Sequence, residues 1–185
     1  MSSNVEEKRD EAPALLRIRP LRQGDDGPIR DVFAGMSAKS RHLRFHSPMP
    51  RLSPAMIHKL AATKPGHHVV LVASVGGRDV GIARWVRDII DPERADVGIS
   101  VVDKHQGRGV GRALLETLAR DAENWGVTKF SFAVHRRNVV MLRLLHSWGA
   151  AVHSVDDRYE AVLPTASMKS VTWASMRSRS ATSGK

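Results

Sequence analysis

Between residues 95 and 126 the spacing of apolar side chains changes from every second residue to every third or fourth, and three glycines in five residues make the join. Residues 95–102 alternate. Val97, Ile99 and Val101 fall on one face of an extended strand, and Asp96, Gly98 and Ser100 on the other. From Val110 the period is helical: Val110, Leu114, Leu118, Ala122 and Trp125 share a stripe, and Gly126 is a natural stop. Between the two lies Gln106-Gly107-Arg108-Gly109-Val110-Gly111. A strand that feeds a long helix through such a loop predicts a crossover to a further strand, and so an α/β chain with helices packed on a sheet.

The flanking segments extend this frame. Leu15, Leu16 and Ile18 predict a first strand. Asp26 is placed to cap a helix over 28–36, with Pro28 in its first turn. A basic stretch, 39–46, separates it from a second helix that starts at Ser53-Pro54 and reaches Ala62. Residues 69–73 and 80–86 read as a hairpin around Gly76-Gly77. Residues 130–134 form a strand, Met141, Leu144, Leu145 and Trp148 mark a helix ended by Gly149, and 152–155 with 159–163 close as a hairpin through Asp156-Asp157. The expected sheet is mixed and mostly antiparallel, with six or seven strands and about four helices.

The 185 residues suit one domain with a full-size core. We expect a disordered leader over 1–13, the domain over 14–164 and a disordered basic Ser/Thr-rich tail over 165–185. The chain has no cysteine, which excludes disulfides, thiolate metal sites and thiol nucleophiles and fits a cytoplasmic setting. The first residues lack the apolar core of a secretory signal, and no apolar run has the length of a membrane span, so no membrane partner is expected. A net charge of +10 suits nucleic acid, an anionic surface, a phosphorylated small molecule or plain solvation. The neighbours of the charge must decide among these.

Around the glycine loop they favour phosphate. Without side chains at Gly107, Gly109 and Gly111, backbone amides can close on a ligand, and the following helix aims its positive end at the same place. Arg108 and Arg112 add charge. The spacing fits neither the dinucleotide G-x-G-x-x-G nor a Walker loop. A strand-to-helix turn with no ligand is the alternative.

Gln106-x-x-Gly109-x-Gly111, set between a strand and a helix, resembles the Q/R-x-x-G-x-G/A motif of the GNAT acetyltransferases, and the element order resembles theirs from about Leu15 to Leu163. Ser40-Arg41-His42-Leu43-Arg44-Phe45, Pro50-Arg51-Leu52-Ser53, Asp91-Pro92-Glu93-Arg94-Ala95 and Asn138-x-x-Met141-Leu142 resemble the GNAT domain of bacterial protein lysine acetyltransferases. The resemblance implies acetyl-CoA as co-substrate. Ile99 and Val101 would offer backbone groups to the pantetheine arm, residues 106–112 (Gln106, Gly107, Arg108, Gly109, Val110, Gly111 and Arg112) would hold the pyrophosphate, and Asn138 would lie near the thioester. Asn138 also suits the N-cap of the helix carrying Met141.

Acetyl transfer to an amine needs a neutral amine, donors for the oxyanion and relief for the leaving thiolate. The carboxylate of Asp96, beside small residues that leave room for a substrate, is the candidate base. The resemblance puts a glutamate at this position, so the shorter Asp96 would act through a water. Its structural alternative is an ion pair with Arg94 or Arg84. Where many family members carry a tyrosine acid, this chain has Leu145. Arg41 and Arg44 are candidates for meeting acidic residues around a target lysine, or for a salt-bridged surface. The histidines at 42, 46, 67 and 68 lack partners at ligand spacing, and no metal is expected. Three functions follow: acetylation of a protein lysine, acetylation of a small amine, or acyl-CoA or nucleic-acid binding without catalysis.

Overall fold

A computed structural model describes residues 15–168. The expected leader and most of the expected tail lie outside the described residues. The order is β1 (Leu16–Pro20), α1 (Gly27–Ala34), α2 (Ala38–Phe45), α3 (Pro54–Ala61), β2 (His68–Val75), β3 (Arg78–Arg87), β4 (Arg94–Val101), α4 (Val110–Asn124), β5 (Lys129–His135), α5 (Val139–Ser147), β6 (Ala151–Val155) and β7 (Arg158–Pro164). The seven strands form one sheet in the order β1-β2-β3-β4-β5-β7-β6. All neighbours are antiparallel except β4 and β5, which α4 joins as the crossover. The mixed, mostly antiparallel α/β sheet is the predicted one.

Strand alternation divides the core in two. Leu71, Ala73, Ala83 and Trp85 pack with Leu114, Leu115 and Leu118 of α4 and Leu145 of α5. Val70, Val72 and Ile82, on the opposite face, pack with Ile29 and Val32 of α1 and Leu60 of α3. Trp85 is fully buried, and its indole donates to the Asp121 carboxylate at 3.0 Å, so its one polar group is satisfied.

The parallel pairing of β4 and β5 is short. Arg94, Ala95 and Asp96 pair with Lys129, Phe130 and Ser131, and there the ladder ends. β4 continues to Val101 against β3 alone, so beyond Asp96 the two strands part and the β5-facing edge of β4 loses its ladder.

Three local expectations need correction. The basic stretch is itself a helix, α2, which brings the α-helices among the described residues to five. Ser37 caps it by accepting from the Ser40 amide at 3.2 Å, and a left-handed His46 ends it. The first helix runs Gly27–Ala34 rather than 28–36, and Asp26 stands at its N-cap without a side-chain cap bond, because its carboxylate takes the Arg30 guanidinium at 2.8 Å. Finally, the first four residues of the expected tail, Thr165–Met168, form a 3-10 turn with Thr165 and Met168 buried.

Candidate active site

The parting of β4 and β5 opens a cleft of about 800 Å³, the size of a small-molecule site. Its walls are β4 from Val97, β5 from Phe132 to Val134, one side of α2, the glycine loop and one side of α5. Lys39, Arg44, Arg112, Arg137 and Arg143 line it, against one acidic residue, Asp103. That balance suits a polyanion.

At one end lies the glycine loop. Gly107 and Gly109 have φ of 72° and 82°, a left-handed backbone that favours glycine, and a Cβ on either would meet nothing within 4 Å. Gly109 is the N-cap of the 15-residue α4 and supplies no side-chain cap. The first intrahelical bond is that of the Ala113 amide to the Gly109 carbonyl, which leaves the amides of Val110, Gly111 and Arg112 without intrahelical acceptors. Three directed donors, the helix dipole and open space above the glycines are what a pyrophosphate needs.

The side chains of the loop serve its shape. Gln106 donates to the Val101 carbonyl at 3.0 Å, to Asp103 at 3.2 Å and to Ser40 at 3.3 Å, tying the loop to the end of β4 and to α2. Arg112 bonds Ser147 at 2.7 Å and lies 4.8 Å over the Trp148 ring, so it joins α4 to α5. Val110 turns its side chain into the core, and Arg108 is exposed and does not line the cleft. Ile99 and Val101 line it from β4. Asn138 lines it too, and its side-chain Oδ1 accepts from the Met141 amide at 3.2 Å, so the capping role and a place in the cleft coexist.

The other face of β4 carries Asp96, Gly98 and Ser100. Asp96 stands where the strands part, is exposed, and accepts a short hydrogen bond from the Ser131 hydroxyl of β5. Neither Arg94 nor Arg84 lies within ion-pair distance of it among the described residues. The room beside Gly98, read from sequence as space for a substrate, is filled instead: a Cβ on Gly98 would collide with the Arg44 guanidinium. Arg44 also lies 5.2 Å over the Phe45 ring. Its neighbour Arg41 donates to the carbonyls of Phe33 at 3.2 Å and Pro50 at 2.9 Å and stacks on Phe33, so it ties α2 to α1 and to the loop before α3. The sequence reading missed Arg84. In the β3–β4 register it stands directly opposite Gly98, and with Arg44 it lines a small cavity of about 30 Å³ among Phe33, Phe45 and Ile82. Burial first, and then Arg84, lower the pKa of Arg44 to about 10.

Leu145, which stands where the resemblance implied a tyrosine, is fully buried. Tyr159 lies under Arg136 at 5.6 Å and does not line the cleft. His135 meets His42 and His46, with ring centroids 5.0 and 5.9 Å apart, a meeting that sequence spacing does not reveal. Among the described residues no group of three His, Asp or Glu side chains is placed to hold a metal. No helix there is long and apolar enough to cross a membrane.

Residues 37–150 match the model of the acetyltransferase (GNAT) family. Acetyltransferase Pat of Mycolicibacterium smegmatis is 29% identical over 140 residues, which cover 72% of this chain and 40% of that protein. The chain thus spans well under half the length of this curated relative. Among solved structures, the GNAT domain of S. lividans PAT superposes with a TM-score of 0.75 at 27% identity, covering 83% of this chain and 96% of that one. YncA of Salmonella typhimurium, solved with its cofactor acetyl-CoA, superposes with a TM-score of 0.66 at 21% identity, covering 81% and 94%.

Proposed function

The chain belongs to the acetyltransferase (GNAT) family, and on that premise we propose that it moves an acetyl group from acetyl-CoA to the side-chain amine of a protein lysine. One observation carries the use of acetyl-CoA: the cleft between β4 and β5 ends on three free amides at the start of α4, under a basic wall. Gly107, Gly109 and Gly111 let those amides approach the pyrophosphate, while the freed edge of β4 at Ile99 and Val101 meets the pantetheine arm. Asn138 borders the thioester. The lysine acceptor rests on the resemblance of residues 40–45, 50–53, 91–95 and 138–142 to the lysine acetyltransferases and on the likeness to Pat, and a cytoplasmic setting goes with it.

The acceptor approaches on the face of β4 that carries Asp96. Its ammonium must lose a proton first, since a lysine amine titrates near about 10.4. Asp96 takes that proton, through a water because its side chain is short. Ser131 holds the carboxylate in place. The amine nitrogen then bonds to the acetyl carbon, the carbon–sulfur bond breaks, and the proton that the nitrogen sheds in becoming an amide passes through water to the leaving thiolate, with no protein acid assigned.

The test is release of free thiol from acetyl-CoA by the native chain and by Asp96→Asn, with lysine-bearing protein acceptors and with small amines. Turnover on a protein lysine, reduced at least about tenfold in Asp96→Asn, is expected if a positioned base supplies its usual share. Turnover on small amines alone moves the acceptor to that class. Tight CoA binding with no turnover on either panel refutes the transferase reading.

A further inference from the structure

We propose that Arg44 and Arg84 form a carboxylate site on the acceptor side of β4, so that the amine acetylated here carries a carboxylate a few atoms away. The proposal rests on the transferase reading above and narrows its acceptor.

Two arginines converge on Gly98. Arg84 stands opposite Gly98 in the β3–β4 register, and Arg44 reaches from the last turn of α2 to fill the place of its missing side chain. Directly opposed positions bring side chains within about 5 Å at their roots. Arg44 Nε is shut off from solvent and has no hydrogen-bond partner among the described residues. No carboxylate lies within ion-pair distance of either guanidinium among them. The nearest acid along the strand is Asp96, which accepts from Ser131 and acts on Arg84 only from beyond ion-pair distance.

Buried charges are ordinarily paired, and two like charges side by side compound the cost. A carboxylate relieves both, and the planar guanidinium fork matches it with two parallel hydrogen bonds. The small cavity that the pair shares has room for about one water-sized group, enough for the oxygens of an anion and too little for a whole ligand. Arg44, Gly98 and Ser100 line the large cleft as well, so the anion enters from the acceptor side. Asp96 and Gly98 are two residues apart on one face of the strand, roughly 6–7 Å. An acceptor with its amine at Asp96 and its carboxylate at Arg44 therefore spans about that distance. Two sources fit: an acidic side chain beside the acceptor lysine of a polypeptide, or a free amino acid with its amine on the far carbon.

The experiment uses matched acceptors: a lysine peptide flanked by Glu against the same peptide flanked by Gln, and 5-aminopentanoate against its amide. For the native protein, kcat/KM is expected to be at least tenfold higher for the acidic member of one pair, and the pair that responds names the source. In Arg84→Gln that ratio should fall toward one while the KM for acetyl-CoA stays unchanged, and Arg44→Lys should keep part of it. Equal kcat/KM within both pairs overturns the proposal, as does a preference that survives in Arg84→Gln. If Arg84→Gln does not fold, the native ratios decide. If no acceptor is turned over, the transferase reading fails separately. Thermal unfolding then decides: protection by 5-aminopentanoate but not by its amide upholds the anion site, and protection by neither overturns it.

Discussion

If the Arg44 guanidinium is buried without a counter-ion in the ligand-free protein, removing its charge should stabilise the fold. Arg44→Met tests this with a side chain of similar length and similar helix propensity. The fold lowers the pKa of Arg44 from the usual guanidinium range to about 10, chiefly through burial and next through Arg84. Each tenfold change in a protonation equilibrium corresponds to about 1.4 kcal/mol, so the folded state disfavours this charge by roughly 3 kcal/mol. Against that gain stand the lost stacking on Phe45, about 0.5–1 kcal/mol, and the lost cation in the last turn of α2, about 0.3–1 kcal/mol. The net expectation is about 1–2 kcal/mol of added stability, or a few degrees in Tm for a chain of this size. Differential scanning calorimetry of the two ligand-free proteins near pH 7 reads it directly. The same variant should transfer acetyl groups to acidic acceptors less well, since stability and a strained binding site trade against each other. A lower Tm for Arg44→Met would show that the charge is already compensated without ligand, and the missing counter-ion would no longer point to an acceptor carboxylate.

Two further outcomes concern charged side chains elsewhere in the fold. Burial, with Arg84 second, lowers His68 to about 4, so between about pH 6.5 and 4 the unfolded chain binds more protons and stability falls as pH falls, by at most about 1.4 kcal/mol per pH unit and roughly 2 kcal/mol in all for this partly exposed ring; urea midpoints across that window should flatten in His68→Gln relative to the native chain, and parallel curves refute the assignment. Arg87 donates to the carbonyls of Gly66 and Trp125 at 2.6 Å each and to that of Pro92, pinning three loops; Arg87→Ala should lower stability by about 2–3 kcal/mol in urea unfolding, with Arg87→Lys recovering less than half because it lacks the fork.

What was legible in the sequence was what neighbouring residues decide among themselves. The glycine loop and α4 could be read because one segment contains the change of period, the left-handed positions and the helix start. Gly76-Gly77 and Ser53-Pro54 were legible for the same reason: a turn and a cap are chosen within four residues. The helix α2 was missed because its composition is basic and no residue of it is buried as a whole, the Arg44 guanidinium alone being drawn inside, so it carries no strong apolar stripe. Ser37, three residues before Ser40, was the signal available. The parting of β4 from β5 was beyond reach, because it depends on where a parallel ladder stops, and β5 lies across a crossover from β4. Gly98 is the clearest case. Its small size was read as room for a substrate. Whether that room is empty depends on a side chain 54 residues earlier, on a helix the sequence had not declared.

The alternation along β4 ties these observations together. Val97, Ile99 and Val101 face the side of α4 and the cleft, and Asp96, Gly98 and Ser100 face the side of α1 and α2. Under the proposed function one strand therefore presents the coenzyme wall along Val97, Ile99 and Val101 and the acceptor wall on the opposite face, with Gly98 and Ser100 bordering the cleft as well. The consequence for substitution is specific. A side chain introduced at Gly98 points away from Ile99 and Val101. It must displace Arg44, and through Arg44 the α2 turn and the edge of the cleft. Gly98→Ala should therefore impair acceptor use while leaving the KM for acetyl-CoA near its native value, whereas Gly109→Ala, at a left-handed position over the free amides of α4, should raise that KM and leave acceptor preference intact. If instead both substitutions raised the KM for acetyl-CoA alike, the two faces of β4 would not serve two substrates, and the assignment of Asp96 and Arg44 to the acceptor would fall with that division.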